Sequence, residues 1–264
     1  MVAPASFTPK INSPVTGADE AAPILSVVVP VRNEAANIAS LVAEIAAALA
    51  GIAHEIVYVD DGSTDETSAR LRALPAVRAL RHRDSCGQSA AIATGVRAAR
   101  GTWIATLDGD GQNDPADIPA LLARAQSAGT EPALLVAGHR VDRRDTWVKR
   151  RTSRLANAVR GGLLGDATPD TGCGLKVFRR DAFLALPIFD HMHRFLPALF
   201  IRAGGRVVSV PVNHRPRLRG RSNYGTFDRM WVGIFDLVGM VWLQRRGSIP
   251  VVAPVTEPVD PAAR

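Results

Sequence analysis

From Ile24 to Gly138 short apolar runs alternate with helix-length amphipathic stretches, joined by polar, glycine-bearing turns. "ILSVVVP" is continuously apolar, as expected of a strand covered on both faces. In "NEAANIASLVAEIAAAL" the residues Ile38, Leu41, Val42, Ile45 and Leu49 fall on one helical stripe. "HEIVYVDD", "AVRAL", "TWIATLD" and "PALLVAG" read as the next four strands, with "GSTDETSARLRAL", "GQSAAIATGVRAA" and "PADIPALLARAQSA" as the helices between them. This alternation predicts βαβ units, and so an α/β fold: a Rossmann-like, mostly parallel sheet with helices on both faces.

Such sheets bind ligands at the carboxyl ends of their strands. The acidic and amide side chains sort to that edge: Asn33 and Glu34 after the first strand, Asp60 and Asp61 after the second, Asp108 and Asp110 after the fourth. The chain carries a net charge of +7, so gathering acid at one edge needs a reason. In "LDGDGQND" Asp108 and Asp110 are two apart, and residues i and i+2 of an extended segment share a face. All-oxygen ligation suits Mg²⁺ or Mn²⁺ held together with substrate phosphates. A lone D-x-D is a weak signal, because short acidic turns are common. Ser63, Thr64 and Asp65 are helix N-cap types and read as the start of a helix. Asp60 and Asp61 remain as carboxylates that can accept paired N–H bonds from a base edge such as uracil or guanine.

After Gly138 the rhythm fades and basic residues crowd residues 139–180. A long basic helix is expected near 146–164, where Arg150, Ser153, Arg154 and Asn157 share a face, with Arg151 displaced from it. "DTGCGLKVFRR" reads as loop and strand, "RFLPALFIRAG" as helix and "RVVSVPV" as strand, followed by the basic loop "NHRPRLRGRSNYG". A helix over 226–245 carries Trp231, Phe235, Leu237, Val241 and Trp242 with Arg229, Arg245 and Arg246 at its flanks. It reads either as a core or dimer helix or as one lying in a membrane interface. Residues 1–23 read as a disordered leader and 246–264 as a disordered tail, around one domain over 24–245. No apolar run reaches the roughly 18 residues of a bilayer span. Cys86 and Cys173 have no metal-ligand spacing and read as free thiols of a reducing compartment. A pI near 10.3 asks for an anionic partner. Nucleic acid is disfavoured, because residues 139–182 offer only Trp147 and Phe178 for stacking.

Taken together, "VVVPVRNEAANI", "VDDGSTDET", "GQSAAIATGVRAARGTWIATLDGDGQNDP" and "DTGCGLKVFRRDAF" resemble the family 2 glycosyltransferases, inverting enzymes with the GT-A fold. The likeness runs from about residue 24 to 245. "LDGDGQNDP", "RRTSRLANAVRGGLLG" and "RPRLRGRSNYG" make the chain most similar to dolichol- or polyprenyl-phosphate sugar synthases, the dolichol-phosphate mannosyltransferase type. The resemblance implies a nucleotide-sugar half over 24–138, an acceptor half over 139–225 and an interfacial helix over 226–245. It implies that Pro30, Val31, Asn33, Glu34, Asp60, Asp61, Gly87, Gln88 and Asp108 hold a UDP- or GDP-sugar, and that Asp108, Asp110 and Gln112 hold Mg²⁺ or Mn²⁺. Arg140, Arg151, Ser153, Arg217 and Ser222 would meet the acceptor phosphate or the donor diphosphate. Asp108, Asp110 and Arg217 would carry the catalysis. Two departures stand out: Leu175 where many relatives carry an aromatic residue, and no additional transmembrane helices.

The implied reaction is sugar transfer to a polyprenyl phosphate. The enzyme would sit peripherally on the cytoplasmic face of a membrane, with oligomeric state left open. An ionised phosphate needs little base catalysis, so His191 and His193 are set aside as acid/base groups. The alternative is a saccharide or lipid hydroxyl acceptor, which would need a base, with Asp170 as the candidate.

Overall fold

A computed structural model describes residues 22–129, 133–141, 160–166, 168–216 and 226–246, with side chains of the last segment described from residue 233. Seven strands form one sheet: β1 (Leu25–Val31), β2 (His54–Asp60), β3 (Val77–Arg81), β4 (Trp103–Thr106), β5 (Leu134–Arg140), β6 (Lys176–Arg179) and β7 (Arg206–Val212). Their order is β3-β2-β1-β4-β6-β5-β7. All pair in parallel except β6, which runs antiparallel to both β4 and β5. The expected mostly parallel sheet is therefore present with one reversal in it.

Helices cover both faces because alternate strand residues point opposite ways. Leu25, Val27, Val29 and Val31 of β1 join one buried cluster with Ile38, Leu41 and Ile45 of α1 (Ile38–Ala48) and Ile118 and Leu121 of α4 (Ile118–Gln126). Val28 faces the other way, with Val57, Ile104, Leu135 and Phe178, onto Ile92 and Val96 of α3 (Gln88–Ala98). Phe183 of α5 (Arg180–Leu184) and Phe200 of α6 (Leu196–Arg202) complete that side and pack on Phe178 at ring separations of 5.2 and 5.7 Å. Two further helices are α2 (Thr67–Arg72) and α7 (Thr226–Arg245).

The helices begin later than the sequence pattern suggests. Residues 33–37 are a turn rather than the first turn of α1. Asn33 sits in the left-handed region at φ 57°, which asparagine tolerates better than most side chains. Asp65 serves the start of α2, its Oδ1 accepting the Thr67 N–H at 2.9 Å, but Ser63 and Thr64 do not cap the helix, whose N-cap residue is Glu66. They join loops instead. Ser63 Oγ accepts the Asn33 N–H at 2.9 Å, and Asn33 Oδ1 accepts the Thr64 N–H at 2.8 Å. The turns after β1 and β2 thus form one unit at the carboxyl edge. Of the long basic helix expected over 146–164, residues 160–164 are helical and 146–159 lie outside the described residues.

α7 has one face in the core and another turned outward. Met240 is fully buried and Leu237, Val241 and Leu243 pack against the second core cluster. Ile234, Phe235, Val238 and Trp242 face outward, Phe235 with 74% of its surface exposed. No described helix is long and apolar enough to cross a membrane. Trp231 and Arg229 belong to the backbone-only turn of this helix, and their side chains lie outside the described residues.

Candidate active site

A cleft of about 430 Å³ opens at the carboxyl edge of β1, β2 and β4. Because β6 is reversed, the loop that precedes it reaches this same edge: Thr106, the last residue of β4, is paired with Lys176, the first of β6. The cleft is lined by Pro30 and Val31 at the end of β1 and Arg32 and Glu34 beyond it, by Asp61, by Gln88, and by Asp108 to Asp110 after β4. The opposite wall is Thr171 to Gly174 with Lys176, and His193, Arg194 and Leu196 close the end.

Asp108 accepts a hydrogen bond from Gln88 Nε2 at 2.9 Å, and Asp110 Oδ1 accepts the Gln112 N–H at 3.0 Å. Burial pushes the Asp108 carboxyl above its ordinary range, and the charge of Asp110 pushes it further; Lys176 and Arg140 oppose them. Two crowded carboxylates of like charge are what a divalent cation relieves. Space supports the same reading. A Cβ on Gly174 would lie 2.2 Å from Asp108 Oδ2, so only glycine leaves that oxygen its place. The residues present therefore fit an Mg²⁺- or Mn²⁺-type ion held by Asp108 and Asp110. Gln112 contributes its backbone: its N–H holds Asp110, and its carbonyl accepts the Arg215 N–H at 2.9 Å.

Asp60 and Asp61 behave differently from one another. Asp60 is buried away from the cleft and its oxygens accept from Ser63 N and Ser68 Oγ. Asp61 lines the cleft with four donors already on it: Cys86 N at 2.8 Å, His82 Nδ1 at 2.8 Å, Ser85 Oγ at 2.7 Å and Gly87 N at 2.9 Å. Burial raises its carboxyl, but those donors outweigh burial and hold it below the usual carboxylate range. Gly87 adopts φ 88°, a conformation open to glycine, as it carries the chain into α3.

Arg140 is held by Asp170 through two guanidinium bonds, Nε to Oδ2 at 2.6 Å and Nη2 to Oδ1 at 2.8 Å. It is a braced cation at the end of β5 and does not line the cleft itself. Arg151, Ser153, Arg217 and Ser222 lie outside the described residues. The chain leading to Arg217 does not. Asn213 N donates to Asp117 Oδ2 at 2.7 Å, and Arg215 pairs with both Glu44 and Asp114. The basic loop thus starts beside the acidic turn.

Lys176 is the cleft residue that pattern reading passed over. It is almost fully buried, and its ammonium donates to the carbonyls of Thr171, at 3.4 Å, and Cys173, so one cation shapes the far wall and faces the acid pair. The signal was a single lysine inside the apolar run "GLKVF". Leu175, where the resemblance implied an aromatic residue, is fully buried in the core. Cys86 is exposed and Cys173 buried, and both are free thiols.

His193 does line the cleft. Ser89 Oγ accepts its backbone N–H at 3.2 Å and lies 2.8 Å from Nδ1. Burial above all, with Arg194 and Lys176 nearby, lowers its pKa to about 3, so the ring is neutral near pH 7. An unfolded histidine titrates near 6.5. Between those values the unfolded chain binds the extra proton, so stability falls as pH drops from about 6.5 toward 3. His193→Gln is expected to flatten that part of the urea-midpoint profile against pH. An unchanged slope would assign the acid loss to other groups.

Residues 26–186 match the family model described as Glycosyl transferase family 2. The chain belongs to that family. This family 2 glycosyltransferase is 35% identical over 236 residues to the dodecaprenyl-phosphate galacturonate synthase of Rhizobium johnstonii, covering 86% of this chain and 69% of that one. It is 36% identical over 222 residues to the undecaprenyl-phosphate 4-deoxy-4-formamido-L-arabinose transferase of Enterobacter sp., covering 81% and 66%. The chain thus spans about two thirds of the length of these polyprenyl-phosphate sugar transferases. In fold the glycosyltransferase is similar to glucosyl-3-phosphoglycerate synthase from Mycobacterium tuberculosis, solved with Mn²⁺, UDP and phosphoglyceric acid. The TM-score is 0.65 at 22% identity, covering 87% of this chain and 80% of that one. The GT-A expectation is borne out.

Proposed function

We propose that this glycosyltransferase moves a sugar from a UDP- or GDP-sugar to a polyprenyl phosphate with inversion. The observation that carries the proposal is the Asp108–Asp110 pair, set at the strand-end edge against Gly174 and Lys176, with the basic loop anchored at Gln112. The named activities of the two relatives point to the same acceptor class.

In this reading the base and ribose lie along Pro30 to Glu34 and Asp61, and the diphosphate reaches the acid pair. A bound divalent ion would stabilise charge on the departing diphosphate. The protein's part is to hold geometry. Gln88 and Gly174 fix Asp108, and Gln112 fixes Asp110. Lys176 keeps the far wall in place, and the loop bearing Arg217 brings positive charge to the phosphates. An acceptor phosphate oxygen bonds to the anomeric carbon as the bond from that carbon to the diphosphate oxygen breaks. The attacking oxygen already bears its charge, so no base is required.

A hydroxyl acceptor would need such a base. Asp170, the candidate, has both oxygens turned to Arg140, which favours the phosphate acceptor. The outward face of α7, with Arg245 and Arg246 at its end, fits a peripheral seat on the cytoplasmic face of a membrane, where a prenyl chain would enter.

The test is transfer from a panel of UDP- and GDP-sugars to a short-chain polyprenyl phosphate with Mg²⁺ or Mn²⁺. Product from one donor, abolished by a chelator and restored by the ion, is expected. Nucleotide release that requires a glycan in place of the lipid would establish the hydroxyl acceptor.

A further inference from the structure

Two side chains beside the cleft, His82 and Cys86, have no part in sugar transfer as drawn above. His82 follows β3, and Cys86 lies in the turn into α3 with its thiol exposed. Together with Asp61 they present one nitrogen, one sulfur and one oxygen ligand atom, all within 4.8 Å of one another.

The surroundings hold these atoms as the supporting residues of a metal centre do. His82 Nε2 is 2.9 Å from Thr94 Oγ1, which leaves Nδ1 turned to Asp61 Oδ1 at 2.8 Å. Ser85 Oγ and the Gly87 N–H steady Asp61 Oδ2, and Oδ1, the oxygen facing His82, accepts the Cys86 N–H at 2.8 Å. Ligand metal-binding histidines characteristically have their second nitrogen fixed in this way. A tetrahedral ion with bonds of roughly 2.0–2.1 Å to N and O separates those ligands by about 3.3 Å, so the two side chains need part by only about half an ångström. A thiolate and an imidazole select a borderline ion such as Zn²⁺ over Mg²⁺, while the all-oxygen pair at Asp108 and Asp110 selects the reverse.

We propose that Asp61, His82 and Cys86 form a zinc-class cation site at the base end of the cleft, and that its occupation blocks donor binding. On binding, the Cys86 thiol loses its proton to solvent and the His82 ring proton resides on Nε2, facing Thr94. The carboxylate and thiolate then balance the dication. The second half of the proposal rests on the nucleotide base lying at Asp61, because a metal there takes up the carboxylate edge that the base would meet.

The experiment titrates the full chain with Zn²⁺ against a chromogenic chelator, in excess Mg²⁺, for wild type, Cys86→Ala and His82→Ala. Cys86→Ala keeps the backbone N–H that Asp61 uses and changes an exposed side chain. One equivalent of Zn²⁺ per wild-type chain is expected, bound at least tenfold more weakly in both variants, as for loss of a metal ligand's support. Absence of that equivalent, or its survival in both variants, overturns the site. UDP and GDP binding is then measured with and without Zn²⁺. Weakening in wild type but not in Cys86→Ala is expected, and Zn²⁺ binding that leaves both nucleotides unaffected overturns the blocking role. Zinc binding is read without sugar transfer, so failure of the transfer assay leaves this result standing on its own.

Discussion

Asp108→Asn is expected to lower kcat/KM about a thousandfold while leaving the metal-free protein at least as stable as wild type. The activity loss is the scale of removing one group that stabilises developing charge. The stability result has the opposite sign, for an electrostatic reason. Burial and the neighbouring Asp110 charge both disfavour the Asp108 carboxylate, so a neutral amide of the same shape removes a repulsion. Asn can still accept from Gln88, so the local bond at 2.9 Å is kept. Melting temperatures in chelator, set beside kcat/KM in Mg²⁺, check both halves. A variant that loses stability and activity together would make Asp108 a structural residue.

Gly174→Ala is expected to cost about a hundredfold in kcat/KM and to raise the Mg²⁺ concentration needed for half-maximal rate. The new Cβ would lie 2.2 Å from Asp108 Oδ2 and 2.3 Å from its Cγ, so the carboxylate must leave its place. A misplacement on this scale near the reacting groups costs about 10²-fold. Gly174 does not have a positive φ, so the substitution reports on space and not on backbone strain. Gly172→Ala is the control: its Cβ would lie 3.2 Å from Arg140 Nη2, a contact that a small shift accommodates. Equal activity in the two variants would mean that Asp108 moves freely.

The sheet, its two covered faces and the edge that gathers the acids were legible because each rests on local pattern. Continuous apolar runs such as Val27 to Val29 specify buried strands, and chain direction alone puts Asp61 and Asp108 at one edge. The direction of β6 was not legible. Its four residues pair with β4 and β5, far away in sequence, and nothing within "KVFR" records which way they run. Lys176 was missed for the same reason, since its role depends on the loop carbonyls it meets only after β6 is inserted. Ser63 and Thr64 were read by helix-start preference, and tertiary pairing with the Asn33 turn overrode it.

The reversal of β6 has a consequence for how this enzyme can change. β5 and β6 are antiparallel neighbours, so everything between Arg140 and Lys176 is, topologically, the loop of one very long hairpin. Its mouth is closed by the strand pair and by the Arg140–Asp170 bridge. Doubling the length of a connection whose ends are already pinned adds only about 0.6 kcal/mol of closure cost. The stretch of it before Arg160, which bears Arg151 and Ser153, can therefore be resized, while Gly174 and the strands that lead to Asp61 and Asp108 keep their places. New acceptors become accessible to inheritance without refolding the donor side.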